Sequence, residues 1–320
     1  DLAKQFGIDD AVLAYRSCEQ AIPKLMALAG RLRGIDHRRT RSLYYASHWY
    51  HKRRLHKEAE LRLQHGFKLQ VLDSEAITEK FGFDAPTAIL TEVAAQMDPY
   101  QMARRLLQRV TRMDGAVHVR STMQGFTPQR GGVVASLSNG ATIRCKHLVL
   151  AAGYESQDFL EQKVAKNRSS YAFVSQPLAD GTGVLQDCLV WESARPYLYM
   201  RSTADGRVMV GGEDDRIDIP LRRDARVMAK AEKLAGKVNA LMPQLGLEPA
   251  FAWAGTFAET DDGLPFFGTH PQHGRRVHFA MAYGGNGITY SMIGAELLRD
   301  SMLGLKHPCA RLFSFDRLSV

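Results

Sequence analysis

The feature that most narrows what this chain can fold into is the stretch VHFAMAYGGNGITYSMIGAELLRD, residues 277–300. A buried strand meets a glycine-rich turn, and that turn opens a helix. The arrangement is an anion site. Glycines let a ligand approach the backbone closely, while the first-turn N–H groups and the helix dipole favour negative charge in front of them. It is not a dinucleotide fingerprint, because Tyr290 stands where Gly285-x-Gly287 would need a third glycine and no following strand completes a βαβ unit. Taken alone, the stretch is equally compatible with a plain strand-to-helix turn. Gly181 and Gly183 lie in a strand-rich region with no helix behind them and suggest a surface turn.

Around this feature stand 320 residues, 45% hydrophobic and 24% charged, enough for two domains or one large α/β domain with a second layer. That composition excludes disorder, collagen-like repeats and small disulfide-stapled scaffolds. Forty-two basic against 34 acidic residues leave +8, which favours anionic partners without choosing among them. Cys18, Cys145, Cys188 and Cys309 stand far apart, with no CxxC pair, so a reducing cytoplasm is expected. No apolar run approaches the roughly 20 residues needed to span a bilayer, so no transmembrane segment is expected. The opening DLAKQFGIDDAV is expected to be the middle of a longer protein.

Along the chain, spacing predicts a helix over 10–30, a strand at SLYYAS (42–47) and an amphipathic helix over 51–66. That helix carries Lys52, Arg53, Arg54 and Lys57, but Glu58 and Glu60 sit beside them, so it is a solvated face and no nucleic-acid partner is expected. FKLQVL (67–72) is a strand candidate, followed by a short helix ending at Gly82. After an extended AILTEVA, Asp98 and Pro99 form an N-cap and N1 pair for a helix through Met113, and AVHVR (116–120) has the composition of a buried strand. Residues 122–153 alternate with turn signals at Gly131–Gly132 and Asn139–Gly140, predicting a β-meander that feeds one inner strand, HLVLAAG. Strands follow over 170–220, then a helix near 222–242 closed by Pro243.

Other candidates are weaker. His270, His273 and His278 cluster, but Pro271, Gly274, Arg275 and Arg276 between them suggest an exposed hairpin, and no metal site is expected. Asp261, Asp262 and Gly263 are turn chemistry, with Asp262 or Glu259 as the alternative of a general base.

These segments, in this order, resemble the flavin-dependent oxidoreductases related to D-amino-acid oxidase, glycine oxidase and sarcosine oxidase. The resemblance rests on MDPYQMARRLL, LVLAAGYES, RPYLYMRSTADGRVMVGGED, WAGTFAETDDGLPFFG and AYGGNGITYS. It implies an α/β (α+β) fold: an incomplete FAD-binding Rossmann-like domain from residues 1–39, 93–168 and 251–320, and an antiparallel-sheet substrate domain from 40–92 and 169–250. FAD is the implied cofactor, with Thr122 and Met123 on the adenine side, Ala152 and Gly153 close to the flavin, and Gly284, Gly285, Asn286, Gly287, Ile288 and Thr289 against the isoalloxazine ring. The implied reaction oxidises a C–N bond of an amine or amino acid by hydride transfer to flavin N5, with oxygen or another acceptor taking the electrons onward.

Two departures from the family pattern bear on this. The family's opening strand, GxGxxG and helix are not in the sequence, so Asp1 is expected to follow that unit and tight FAD binding is in question. The position matching the arginine that clamps a substrate carboxylate is Phe257. Arg201, on one strand face with Tyr197 and Tyr199 if YLYMR is extended, is the substitute, and a sheet-surface arginine paired with an acid is its alternative. No catalytic acid or base stands out. The rival to an enzyme is a non-catalytic remnant or partner subunit of the same fold.

Overall fold

A computed structural model describes residues 2–319. The chain divides into two compact units, one from Asp1–Ile35, Met97–Asn167 and Phe257–Val320, the other from Asp36–Gln96 and Arg168–Thr256. In chain order the elements begin with α1 (Leu2–Phe6), α2 (Ile8–Gly30), β1 (His37–Tyr45), α3 (Lys52–Gln64), β2 (Gln70–Asp73), α4 (Ser74–Phe81) and β3 (Thr87–Met97). There follow α5 (Pro99–Arg112), β4 (Met123–Gln129), β5 (Gly132–Leu137), β6 (Thr142–Cys145), β7 (Leu148–Leu150), β8 (Lys166–Ser175), β9 (Cys188–Glu192), β10 (Leu198–Ser202) and β11 (Val208–Asp215). The chain closes with α6 (Pro220–Asp224), α7 (Val227–Leu241), β12 (Pro249–Glu259), β13 (Phe266–Thr269), β14 (Val277–Met281) and α8 (Gly287–Met302).

The second unit is built on one eight-stranded sheet, in the order β12-β8-β11-β10-β9-β1-β3-β2. Alternation puts Leu198 and Met200 of β10, Val208 and Val210 of β11 and Phe173 of β8 in one core, which α7 covers with Ala231, Leu234 and Val238. The expected sheet was antiparallel; this one is mixed. β9 to β11 and β8 are antiparallel neighbours, but β1 and β9 run parallel with Leu43 opposite Val190. A long connection, not a hairpin, joins those two strands, so no tight turn forces their direction. Asp73 caps α4 by accepting from Ala76 N at 2.9 Å, and Gly82 ends it with φ +71°.

The first unit holds two three-stranded sheets, β13-β14-β7 and the meander β4-β5-β6. α2 and α8 pack together through Ala14, Ala21, Ile293 and Leu297. Asp98 caps α5 by accepting from Gln101 N at 3.0 Å, with Pro99 at N1 as the sequence predicts. Two expectations fail here. Residues 116–120 form no strand, and Val119 is 73% exposed: its β-propensity finds no partner strand among the described residues, and Arg120 at φ +53° breaks the extended run. The β7 strand is not inner, since it pairs with β14 alone among the described residues and leaves its other edge open.

Candidate functional site

In the first unit, β7 and β14 run parallel with Val277 opposite Leu148 and Phe279 opposite Leu150. Their carboxyl ends therefore reach the same edge of the sheet, the edge where open α/β sheets take ligands. The β7 turn presents Ala151 to Glu155 to solvent, with Gly153 at φ +60°. Ser156, fully buried, accepts from Ala152 N at 3.1 Å and ties that turn down.

The β14 turn is the strained one. Ala282 at φ +61° and Gly284 at φ +56° both adopt the left-handed region, and Gly284 N donates to Ala258 O at 2.9 Å. A buried alanine in that region costs on the order of 1–3 kcal/mol and persists where its surroundings fix it. α8 then starts without a side-chain cap from Asn286. Tyr290 N is the donor to Asn286 O at 3.0 Å, so the amides of Gly287, Ile288 and Thr289 precede the first intrahelical bond. Gly285, Asn286 and Ile288 are exposed, and Gly284, Gly287 and Thr289 are half-buried.

The space before these backbones is open. A Cβ built at Gly153 or Gly284 would meet nothing within 4 Å, and one at Gly287 only the Tyr283 side chain, at 3.8 Å. Uncapped amides facing an open, glycine-lined edge fit the anion-accepting end of a flat ring such as flavin. Thr122 is exposed just before β4, with its carbonyl accepting from Ser138 N at 2.9 Å, while Met123 packs half-buried against the core of the meander. Burial pushes the Tyr283 hydroxyl up to about 12, although its bond with Ser291 opposes the shift, so it stays a proton donor.

In the second unit, Tyr199 and Arg201 share the face of β10 opposite the core, and Tyr197 lies just before the strand. The Tyr197 and Tyr199 rings are 5.8 Å apart, and the Arg195 guanidinium lies 4.8 Å from the Tyr197 ring. Gly211, paired with Tyr199 across the ladder, is there because a Cβ would fall 2.2 Å from the Tyr199 hydroxyl. Burial, followed for Tyr197 by the Asp214 charge, raises both phenols, which therefore stay protonated at neutral pH. Arg201 donates to Ser202 O at 3.1 Å. Phe257, on β12 in the first unit, is half-buried.

The remaining sequence candidates are structural. Asp262 Oδ1 accepts from Thr260 Oγ1 at 2.7 Å and from Leu264 N at 2.9 Å, and its Oδ2 takes Arg317 Nε at 2.7 Å, which leaves no base for chemistry. The expected exposed hairpin is present, since β13 and β14 pair antiparallel and Pro271, Gln272, Gly274 and Arg275 between them are exposed, but its histidines turn inward: His270 and His278 are buried, and His273 is half-buried with Nε2 on Phe159 O at 2.6 Å. His278 falls on the fully buried β14, where its Nε2 is hydrogen-bonded to His147 Nδ1 at 3.0 Å. Burial first, then the charge of His147, lowers it to about 4. Sequence reasoning also missed Ser156 and Ala282; neither carries a local signal, because both are defined by a turn that forms only once β7 and β14 pair.

Comparisons with known proteins give the chain a family and a fold. A family model described as DAO, FAD dependent oxidoreductase, matches residues 5–301. Glycine oxidase of Bacillus licheniformis is 26% identical over 204 residues, 62% of this chain and 53% of that protein, so the chain spans about half its length. The structure of L-proline dehydrogenase from P. horikoshii superposes with a TM-score of 0.79 at 14% identity, covering 95% of this chain and 83% of that one. Glycine oxidase from Geobacillus kaustophilus gives 0.77 at 17%, covering 94% and 81%. At those identities the structures speak for the fold, and the family match extends over nearly the whole chain. The chain belongs to the DAO family of FAD-dependent oxidoreductases.

Proposed function

We propose that this protein oxidises a C–N bond in an amine or amino acid, with FAD held against the turns that follow β7 and β14. The observation that carries the reading is the uncapped, glycine-lined start of α8 at the carboxyl edge of a parallel strand pair in a chain of this family. FAD, when bound, supplies the two-electron acceptor for the substrate C–H bond. The chain's own part is electrostatic: the amides of Gly287, Ile288 and Thr289 and the dipole of α8 stabilise negative charge that grows as the substrate is oxidised. Ala152, Gly153, Gly284, Gly285 and Asn286 give the ring its backbone seat, and Thr122 and Met123 border its adenine side.

Recognition falls to the second unit's β10 face. Tyr197 and Tyr199 remain protonated donors, and Arg201 is the cation for a substrate carboxylate, with apolar Phe257 at the family's clamp position. Oxygen or another acceptor would take the electrons onward, and four free cysteines support work in a reducing cytoplasm. No helix among the described residues is long and apolar enough to cross a membrane.

The test is Gly287→Val. The added side chain has room in the protein, so circular dichroism and thermal melting should stay near wild type while bound flavin, read by absorbance per chain, falls at least tenfold. Flavin content equal to wild type in that variant would refute the placement.

A further inference from the structure

Outside that edge, the first unit carries a cleft of about 670 Å³ lined by Arg31, Leu32, Arg33, Arg105, Gln108, Arg109 and Arg112. Five guanidinium groups line it and no carboxylate does. Among the described residues none of the five pairs with an acid: Arg105 donates to the neutral Gln108 Oε1 at 3.0 Å, and its Nε is buried with no partner. The Arg105 guanidinium lies so close to the backbone that a Cβ at Gly34 would touch its Nη2 at 3.0 Å. The cleft is held in shape by an apolar seam joining the end of α2 to the start of α5, through Leu25, Ala29, Met97 and Met102.

Arg105, Arg109 and Arg112 stand at i, i+4 and i+7 and so form one row along α5 about 10 Å long. Arg31 and Arg33 follow the end of α2 and supply the other arginines of the cleft. The negative ends of both helix dipoles temper this crowding by a few tenths of a kcal/mol per residue, which does not offset five like charges at close range. A bound polyanion does. A single phosphate would meet only part of a row that length, whereas a linear chain of two or three phosphates runs along it, each presenting oxygens to a bidentate fork.

We propose that this cleft binds a linear polyphosphate, free or as the phosphate chain of a nucleotide, at a site separate from the flavin edge. Calorimetric titration of the protein as purified, with flavin absorbance recorded throughout, tests it. Tripolyphosphate should saturate one site per chain and bind at least tenfold tighter than orthophosphate. The Arg105→Gln/Arg109→Gln double variant should weaken it at least tenfold, while Arg53→Gln/Arg54→Gln on the solvated α3 should change it less than twofold. ATP binding as tightly as tripolyphosphate assigns the phosphate chain alone, and tighter binding adds the nucleoside; both support the site. If the double variant melts early, Arg112→Gln, at an exposed position, should still weaken binding about threefold.

The proposal is overturned by absence of saturable binding at low salt, by equal affinity for orthophosphate, or by equal loss in both double variants. Release of flavin by tripolyphosphate would move the anion to the flavin edge. A single-stranded oligonucleotide bound tighter than tripolyphosphate, and equally well by the Arg105→Gln/Arg109→Gln variant, would assign the charge to a nucleic-acid surface instead.

Discussion

The two units distribute their apolar residues differently. The second gathers most of them into one large cluster, with Leu43, Phe173, Val190 and Val208 fully buried in a sheet eight strands wide, and a small one around Tyr44, Leu55 and Ile89. The first divides them among three clusters around two narrow sheets. Both leave large apolar side chains exposed, Leu107 at 51%, Met113 at 71% and Val119 at 73% in the first and Trp49 at 80% and Leu221 at 83% in the second. Open backbone and open charge lie on the first unit: the uncapped start of α8 and the arginine cleft both belong to it. A wide sheet on one large core gives rigidity, and uncapped backbone beside clustered charge gives places for something else to bind.

The contrast can be broken most easily at its strongest point. Phe173→Ala, in the wide core, should cost about 3–5 kcal/mol in denaturant unfolding; a loss under 1 kcal/mol would mean that core is loosely packed. Next comes pH within the first unit. Because His278 is held neutral with its folded value near 4, below the 6.5 of a free histidine, its contribution is complete above about pH 6.5 and is lost as pH falls toward 4. The loss should be on the order of 2–3 kcal/mol, and His278→Gln should flatten the stability profile across that window. Gly211→Ala, which drives a methyl into the Tyr199 ring, should cost about 1–3 kcal/mol. Smallest of all, Leu107→Ser and Val119→Ser should each stay within about 0.5 kcal/mol. A cost above 2 kcal/mol at either would show that the exposed stripe is covered in solution.

Much of this was legible in the residues. The Asp98-Pro99 entry to α5, the meander and its glycine turns, and the strand, turn and helix from Val277 to Met302 all follow from local chemistry, because cap, turn and periodicity act within a few residues. What escaped is set at a distance. Strand β1 begins at His37, among charged residues no apolar pattern would pick, because the wide sheet takes it up between β9 and β3. Residues 116–120 have the letters of a strand and no neighbour to pair with. His278 hides in a segment rich in turn residues, yet β14 carries it into the interior with Val277 and Phe279 on either side. At the edge beyond β7 and β14, the glycines were visible, but the Ala282 strain and the Ser156 anchor arise only when two distant strands lie side by side.

That side-by-side register divides labour between ladder and loop. The hydrogen bonds holding β7 to β14 run between main chains and ignore side-chain identity, while the backbone seat we propose for the ring sits in the few residues beyond the last rung. Substitutions there can retune how firmly a ring is seated without disturbing the scaffold, so a search for altered grip should randomise the tips and spare the rails.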